Sequence, residues 1–278
     1  MTARPVVLIT GASSGIGAAL ARVFAAHGHD LALVALPDPQ LAVLADELAE
    51  VAGRRPLALP LDLTHRDAGL RIAHALSAQG LEPMIVANCA GFGLVGAAAE
   101  LDRTEQLAMV DLNVRALTDL SLRFIDSLVR CRGGLLNVAS ISAFLPGPGM
   151  AVYNATKAFV VSFSEALHHE LAARGVRVTV LCSGPVPTRF QQRAGIRARL
   201  PRALACSPEW VAQQAFDGLM AGKRLVVPGA GNKALRLILP LIPHALLLPG
   251  KLAAMRLSTR PPARRLLRFS GRSKALSR

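Results

Sequence analysis

The chain has 278 residues, of which 52% are hydrophobic and 18% charged, a composition that excludes a disordered chain and is sufficient for one large α/β domain. The net charge of +14 lies at one end: residues 1–190 carry 15 basic and 16 acidic side chains, whereas residues 191–278 carry 17 and 2. Four cysteines without Cys-x-x-Cys spacing indicate neither a metal site nor a disulfide framework, and the N-terminus has no long apolar leader, so we expect a cytoplasmic protein with reduced thiols.

The first elements predicted are a strand, a glycine-rich turn and a helix. Residues 5–10 form an uninterrupted apolar run, typical of a strand buried on both faces of a parallel sheet. Gly11, Gly15 and Gly17 follow at once, and residues 18–27 have helical composition. Glycines permit a tight turn and close backbone approach, and a helix N-terminus attracts phosphate. This order therefore predicts a dinucleotide-binding site.

Apolar runs and helical segments alternate along the chain after this turn. Further strands are predicted at residues 31–36, 56–61, 84–87, 135–139, 176–181 and 224–227, and helices at residues 39–51, 64–79, 103–130 and 150–173. Alternation of this kind implies an α/β fold with a doubly wound parallel sheet of about seven strands and helices on both faces.

Two polar residues within these elements each have two interpretations. Asp62 follows the third strand, where it can accept a hydrogen bond from an adenine amino group or cap the helix that begins at Thr64. Asn113 stands between Leu112 and Val114. It is either a buried amide that bridges the backbone to water or an ordinary polar residue on the helix surface.

An acid–base site is predicted from three residues in the middle of the chain. Tyr153 and Lys157 are four residues apart in a helical segment and so share one face, and Tyr153 is the only tyrosine in the chain. An ammonium beside the phenol would lower the pKa of Tyr153 and make it a general acid or base near neutral pH. Ser140, at the end of the fifth strand, can donate a hydrogen bond to a carbonyl oxygen or alkoxide.

Together the motifs resemble the short-chain dehydrogenase/reductase family. They occur in its order and at its spacings over roughly residues 5–230. The matching motifs are Thr10-Gly11-x-x-x-Gly15-x-Gly17, Asp62-Leu63, Asn88-Cys-Ala-Gly91, Asn113, Ser140, Tyr153-x-x-x-Lys157 and Ser183-Gly-Pro-Val-Pro-Thr188.

The resemblance implies a Rossmann fold, a nicotinamide cofactor and a catalytic tetrad. In this scheme Tyr153 exchanges the proton, Ser140 positions the carbonyl, Lys157 also holds the nicotinamide ribose, and Asn113 supports a proton-relay water. The cofactor site is expected to comprise Thr10, Gly11, Ser13, Ser14, Gly15, Ile16, Gly17, Leu36, Asp62, Leu63, Asn88, Ala90, Gly91, Tyr153, Lys157, Pro185, Val186 and Thr188.

The chain departs from the family pattern at three positions. Cys89 stands where the family usually has asparagine, and Ser183 where it usually has proline. We expect the Cys89 side chain to be buried and to fill space in the core. Leu36 ends the second strand, where similar enzymes have arginine for NADP or aspartate for NAD. Asp38 lies nearby and either repels a 2′-phosphate or caps the next helix. Taken together, the motifs resemble those of the NADP-using branch of the family, which favours NADP as the cofactor, with NAD as the alternative.

The catalytic domain is predicted to span residues 1–230, with residues 187–208 as a substrate lid. The lid contains Arg189, Arg193, Arg197, Arg199 and Arg202, which either meet an acidic group such as a carboxylate or coenzyme A phosphate or lie on a solvated helix. Substrate contacts are expected from Leu94, Val95, Ser142, Phe144, Leu145, Pro148, Met150 and Phe190.

Two further segments follow the predicted domain. Residues 231–257 are apolar with basic edges, too interrupted by proline to span a membrane. They suit either peripheral contact with an anionic membrane or packing on a partner subunit. Residues 258–278 form a basic tail that we expect to be disordered and without specific nucleic-acid recognition.

The function predicted from these features is NAD(P)-dependent interconversion of an alcohol and a ketone or aldehyde. Because the expected pocket is apolar, the substrate is predicted to be a small hydrophobic or lipid-like molecule, and the family resemblance implies a homo-oligomer. The alternative is a non-catalytic dinucleotide sensor or membrane-associated scaffold on the same fold, which would have no need of the Tyr153–Lys157 pair.

Overall fold

A computed structural model describes residues 3–195, 205–243, 245 and 248–250. The predicted basic tail and three lid arginines, Arg197, Arg199 and Arg202, lie outside the described residues. The strands are β1 (Arg4–Thr10), β2 (Leu31–Ala35), β3 (Leu57–Pro60), β4 (Leu81–Asn88), β5 (Gly134–Ser140), β6 (Arg177–Ser183) and β7 (Leu225–Val226). The helices are α1 (Gly15–Ala26), α2 (Pro39–Ala52), α3 (Ala68–Ala78), α4 (Arg103–Val110), α5 (Leu117–Arg123), α6 (Ile125–Arg130), α7 (Ala151–Ala172), α8 (Arg189–Ala194), α9 (Pro208–Met220) and α10 (Ala230–Ile238).

The strands form one parallel sheet in the order β3-β2-β1-β4-β5-β6-β7. The predicted doubly wound, Rossmann-type sheet is therefore confirmed. Strand order reverses between β1 and β4, and a crevice opens at the carboxyl ends of strands where such a reversal occurs.

Both faces of the sheet are covered, which explains why β1 has no polar alternation. Val7 and Ile9 pack in one cluster with α1, α2 and α9, whereas Val6 and Leu8 pack in another with α3, α5, α6 and α7. All four side chains are almost completely buried. A strand with helices on both sides requires apolar residues at every position.

The predicted helix at residues 103–130 is interrupted. A π-helical turn, Asp111–Ala116, separates α4 from α5, and α6 begins after a further break at Phe124. Such turns re-aim individual side chains and are frequent at functional sites. In this chain the turn contains Asn113, which is fully buried.

A buried polar network joins the centre of the sheet to the helices. The Asn88 amide donates to Asn137 Oδ1 at 2.9 Å and to Ser121 Oγ at 3.1 Å, and the Asn137 amide donates to Ser164 Oγ at 2.9 Å. Buried amides need such partners because they have lost water. The Asn88 side chain therefore ties β4 to β5 and α5. Its predicted contact with a cofactor stays a prediction.

Candidate active site

A cleft of about 650 Å³ lies at the carboxyl ends of the strands. Most of the predicted cofactor residues are in its lining: Gly11, Ser13, Ser14, Gly15, Ile16, Gly17, Leu36, Asp62, Leu63, Ala90, Gly91, Tyr153, Lys157, Pro185, Val186 and Thr188. Thr10, like Asn88, lies outside this lining. The Thr10 hydroxyl instead accepts hydrogen bonds from the backbone N–H groups of Cys89 and Ala90, at 3.0 and 3.1 Å. Thr10 therefore holds together the two turns that form the cleft floor.

The glycine turn fits a dinucleotide pyrophosphate. Gly11 has a φ of 66°, and a Cβ atom there would lie 2.9 Å from the Ala90 backbone. A Cβ atom on Gly17 would lie 2.3 Å from the Gly11 carbonyl oxygen. Ser14, which precedes α1, makes no side-chain capping bond to the helix. The first N–H groups of α1 thus keep their capacity to bind an anion in the cradle that the glycines leave open.

Tyr153, Lys157 and Ser140 come together in the cleft. The helix α7 places Tyr153 and Lys157 one turn apart, both buried. Lys157 Nζ donates to the Val138 carbonyl oxygen at 2.9 Å and lies 5.9 Å from the centre of the Tyr153 ring. Ser140 forms a side-chain hydrogen bond with Tyr153 and accepts one from the Ser142 N–H at 3.1 Å. The predicted pairing of a phenol, an ammonium and a hydroxyl is present.

Burial has the largest effect on the pKa values of both Tyr153 and Lys157. It raises the pKa of Tyr153 to about 12, against the opposing effect of the Ser140 hydrogen bond. It also lowers the pKa of Lys157 to about 8. The expected lowering of the Tyr153 pKa by Lys157 is therefore wrong for this structure, because loss of water raises this pKa and Lys157 Nζ points to Val138 O. At neutral pH the phenol retains its proton.

Asn113 is buried and fully engaged with protein groups. Its amide donates to the Phe92 carbonyl at 2.9 Å and to Thr156 Oγ1 at 3.1 Å, and its oxygen accepts from the Phe92 N–H at 3.1 Å. The interpretation as surface polarity is thus wrong. The side chain holds the Phe92 backbone in place beside α7, and its predicted support of a relay water stays a prediction.

The end of the cleft where adenosine was predicted to bind contains Leu36, Asp38 and Asp62. Leu36 is 46% exposed, and no charge stands at its position. Asp38 caps α2 through a 2.9 Å bond from the Gln40 N–H and also forms an ion pair with Arg189 at 2.8 Å. Asp62 accepts from both the Thr64 N–H and hydroxyl at 2.8 Å, so it caps a turn, since α3 begins only at Ala68.

Comparison with known proteins identifies the family. The model for short chain dehydrogenase matches residues 5–197. The chain belongs to the short-chain dehydrogenase family. Membership of this family confirms the predicted enzyme class, an oxidoreductase acting on CH–OH groups.

Individual relatives are similar to this short-chain dehydrogenase over most of its length. It is 34% identical over 220 residues to a sulfoacetaldehyde reductase of Chromohalobacter salexigens, covering 76% of this chain and 86% of that protein. A short-chain dehydrogenase from Sphingobium yanoikuyae in complex with NADPH has 32% identity and a TM-score of 0.76, covering 94% and 99%. A 3-ketoacyl-(acyl-carrier-protein) reductase from Brucella melitensis complexed with NADH has 28% identity and a TM-score of 0.73, covering 84% and 99%.

The predicted substrate contacts of this short-chain dehydrogenase lie only partly in the cleft. Of the predicted contacts, only Ser142, Met150 and Phe190 line the cleft. Leu94 packs in a buried cluster behind Tyr153, and Leu145 is also buried. The Phe144 ring lies 5.5 Å from the Arg236 guanidinium, because a 3-10 turn follows Ser140. Val95 and Pro148 likewise lie outside the lining.

Sequence reasoning missed several residues that line the same part of the cleft. The apolar members are Phe92, Ala108, Leu112 and Ile141, and the polar member is Gln191, whereas Arg193, one of the lid arginines named from the sequence, also lines this part. Phe92 follows the Gly91 turn directly, so its position in the sequence was available as a signal. The approach of α4 to the cleft could not be recognised from the sequence, because it depends on the π-helical break after α4.

Proposed function

We propose that this short-chain dehydrogenase reduces a ketone or aldehyde and oxidises the corresponding alcohol, with NADP preferred over NAD. The observation that carries the proposal is the buried Tyr153, hydrogen-bonded with Ser140 and adjacent to Lys157 at the end of a glycine-floored cleft. The relative in complex with NADPH and the one complexed with NADH support a nicotinamide dinucleotide as the cofactor.

The residues around the cleft have distinct roles in this proposal. The turn Gly11–Gly17 would hold the pyrophosphate, and Lys157 and Thr188 the nicotinamide half. When bound, the dinucleotide supplies or accepts the hydride. Tyr153 donates a proton to the carbonyl oxygen in reduction, and Ser140 directs a hydrogen bond to the same oxygen. A phenol that stays protonated at neutral pH is suited to the reducing direction.

The substrate is proposed to have a hydrophobic body. Met150, Phe190, Phe92 and Leu112 form an apolar wall near Tyr153, and the Phe190 and Tyr153 rings are 5.4 Å apart. Apolar walls with few polar groups are typical of small-molecule sites. The test is oxidation of NADPH by the purified protein with a panel of aliphatic and aromatic ketones and aldehydes. Absence of turnover across the panel, with NADPH and with NADH, would contradict the proposal.

The rate of reduction is expected to depend on the charge of Lys157. Its pKa of about 8 means that it is an ammonium below this pH and neutral above it. Tyr153, with a pKa of about 12, stays protonated throughout. We therefore expect kcat/KM to be constant below pH 7 and to fall as the pH rises through about 8. A pH profile of wild type and Lys157→Met tests this, because the variant should lose the decline; a wild-type profile that rises over the same interval contradicts it.

The segment after the domain is proposed to contact a membrane surface. In α10 and the turn that follows, Leu237 is 65% and Leu241 80% exposed, and Lys233 lies on the same helix. Within the described residues, no helix is long and apolar enough to cross a membrane. We expect the full chain to sediment with phosphatidylserine vesicles and Leu237→Glu/Leu241→Glu to remain in solution. Equal sedimentation would contradict membrane contact; a change in oligomeric mass on light scattering would instead indicate a partner subunit.

A further inference from the structure

The lid helix α8 places two arginines along the cleft. Arg189 and Arg193 are four residues apart and therefore lie on one side of the helix, and both line the cleft. Arg189 reaches the adenosine end, where it pairs with Asp38 at 2.8 Å. Arg193 lies at the other end, where its guanidinium carbon is 4.1 Å from the centre of the Phe92 ring.

The support for Arg193 is rigid and adjacent to the catalytic tyrosine. Phe92 is buried, packs in one cluster with Tyr153, and has its backbone N–H and carbonyl bonded to the Asn113 side chain. The C-terminal end of α8, next to Arg193, is also attached, because the Val95 N–H donates to the Ala194 carbonyl at 3.2 Å. The guanidinium is thus held beside the reacting centre.

Stacking on Phe92 leaves the hydrogen-bonding edge of Arg193 available. A guanidinium that stacks uses its flat face, whereas its N–H donors point outward in the plane and match the geometry of a carboxylate or similar anion. Cation–π contact alone does not neutralise the charge. Arg193 is exposed on the cleft side, so an incoming molecule can reach these donors.

No acidic side chain of the described residues forms an ion pair with Arg193. The two acidic residues that line the cleft have other partners: Asp38 pairs with Arg189, and Asp62 binds Thr64. The sequence itself contains no aspartate or glutamate between Glu170 and Glu209, and none after Asp217. The lid therefore brings a positive charge to the substrate end without an acidic residue of its own to balance it.

We propose that Arg193 determines substrate specificity by binding an anionic group, a carboxylate or a sulfonate, on the same molecule whose carbonyl Tyr153 protonates. This inference rests on the proposed function. The substrate then has three parts: a carbonyl at Tyr153 and Ser140, an apolar body against Met150 and Phe190, and a charged end at Arg193. A guanidinium forms two parallel charge-assisted hydrogen bonds to such a group.

The experiment compares three matched aldehydes with the full-length protein and saturating NADPH. The probes are 4-oxobutanoate, 3-oxopropane-1-sulfonate and the neutral methyl ester of 4-oxobutanoate. The variants are Arg193→Gln, which removes the charge, Arg193→Lys, which keeps it without the planar fork, and Arg71→Gln as a control on the exposed side of α3. Thermal melting of each variant verifies the fold.

Wild type is expected to prefer an anionic aldehyde to the ester by about tenfold in kcat/KM. Arg193→Gln should remove this preference through KM, with kcat and reduction of the ester little changed. Arg193→Lys should retain part of it, and Arg71→Gln all of it. The ratio of the two anions distinguishes a carboxylate from a sulfonate site.

Two results would overturn the inference. Equal use of the ester and both anions by wild type, or an equal loss for all three aldehydes in Arg193→Gln, removes the role of Arg193 and leaves the proposed oxidoreductase activity intact. Reduction of none of the three probes, together with no turnover of the neutral carbonyl panel with either dinucleotide, removes the proposed function and the inference with it.

Discussion

Replacement of Tyr153 by phenylalanine is expected to lower kcat for carbonyl reduction about thousandfold, the contribution of a well-placed general acid. Phenylalanine keeps the ring, its packing in the cluster with Phe92 and Met109, and its contact with Phe190. Only the phenol oxygen is lost, and with it the proton donor. Because Tyr153 is the only tyrosine in the chain, no second phenol can substitute for it.

Binding measurements separate this effect from damage to the site. The dissociation constant for NADPH, followed by its fluorescence, should stay within about twofold of wild type, because one hydroxyl is removed without a change in the glycine turn. Ser140→Ala provides an intermediate control that retains the phenol and loses one hydrogen bond. Unchanged turnover in Tyr153→Phe would refute the acid–base role and favour a non-catalytic dinucleotide-binding protein.

The Asp38–Arg189 ion pair is expected to control the choice between NADPH and NADH. A 2′-phosphate is attracted by an arginine and repelled by a carboxylate at the end of the second strand. Asp38→Asn removes the carboxylate and releases Arg189, so the NADPH:NADH affinity ratio should rise about tenfold. Arg189→Gln leaves Asp38 uncompensated, so the ratio should fall about tenfold. The two variants should therefore differ about hundredfold.

Fluorescence titration of both variants with NADPH and NADH measures this ratio directly. Asparagine is as good an N-cap as aspartate, so Asp38→Asn should preserve the start of α2. Asp46→Asn, which breaks the exposed Asp46–Arg55 pair, is the matched control for loss of one surface charge. Equal shifts in the same direction for both cleft variants would show that the pair acts only as a structural contact.

Local sequence pattern was sufficient for the fold and for most of the cofactor turn. Apolar runs of strand length alternating with helical segments predicted the parallel sheet, since each such run must be covered on both faces. Gly11 and Gly17 could be recognised because only glycine fits where a Cβ atom would overlap the backbone. Tyr153 and Lys157 could be paired because four residues span about one helical turn.

Other features depend on contacts between distant parts of the chain. The π-helical turn that buries Asn113 and the network that captures Asn88 arise from helices packed on the sheet, and no local pattern encodes them. Most of the expected substrate residues lie outside the cleft lining for the same reason. The turn after Ser140 directs Phe144 toward Arg236. The helix α8 brings Arg193 to the cleft, where it lies over Phe92.

The sequence by itself established the family motifs and the order of the strands and helices, and it supplied the residue types of the proposed acid–base site, because these follow from short-range spacing. The protonation states and ion pairs of the cleft could be described only from the tertiary structure. Burial in the assembled cleft, and no neighbour in sequence, raises the pKa of Tyr153 and lowers that of Lys157. The pairing of Asp38 with Arg189 joins residues 151 positions apart. Desolvation and long-range contacts exist only once the sheet has brought its carboxyl ends together.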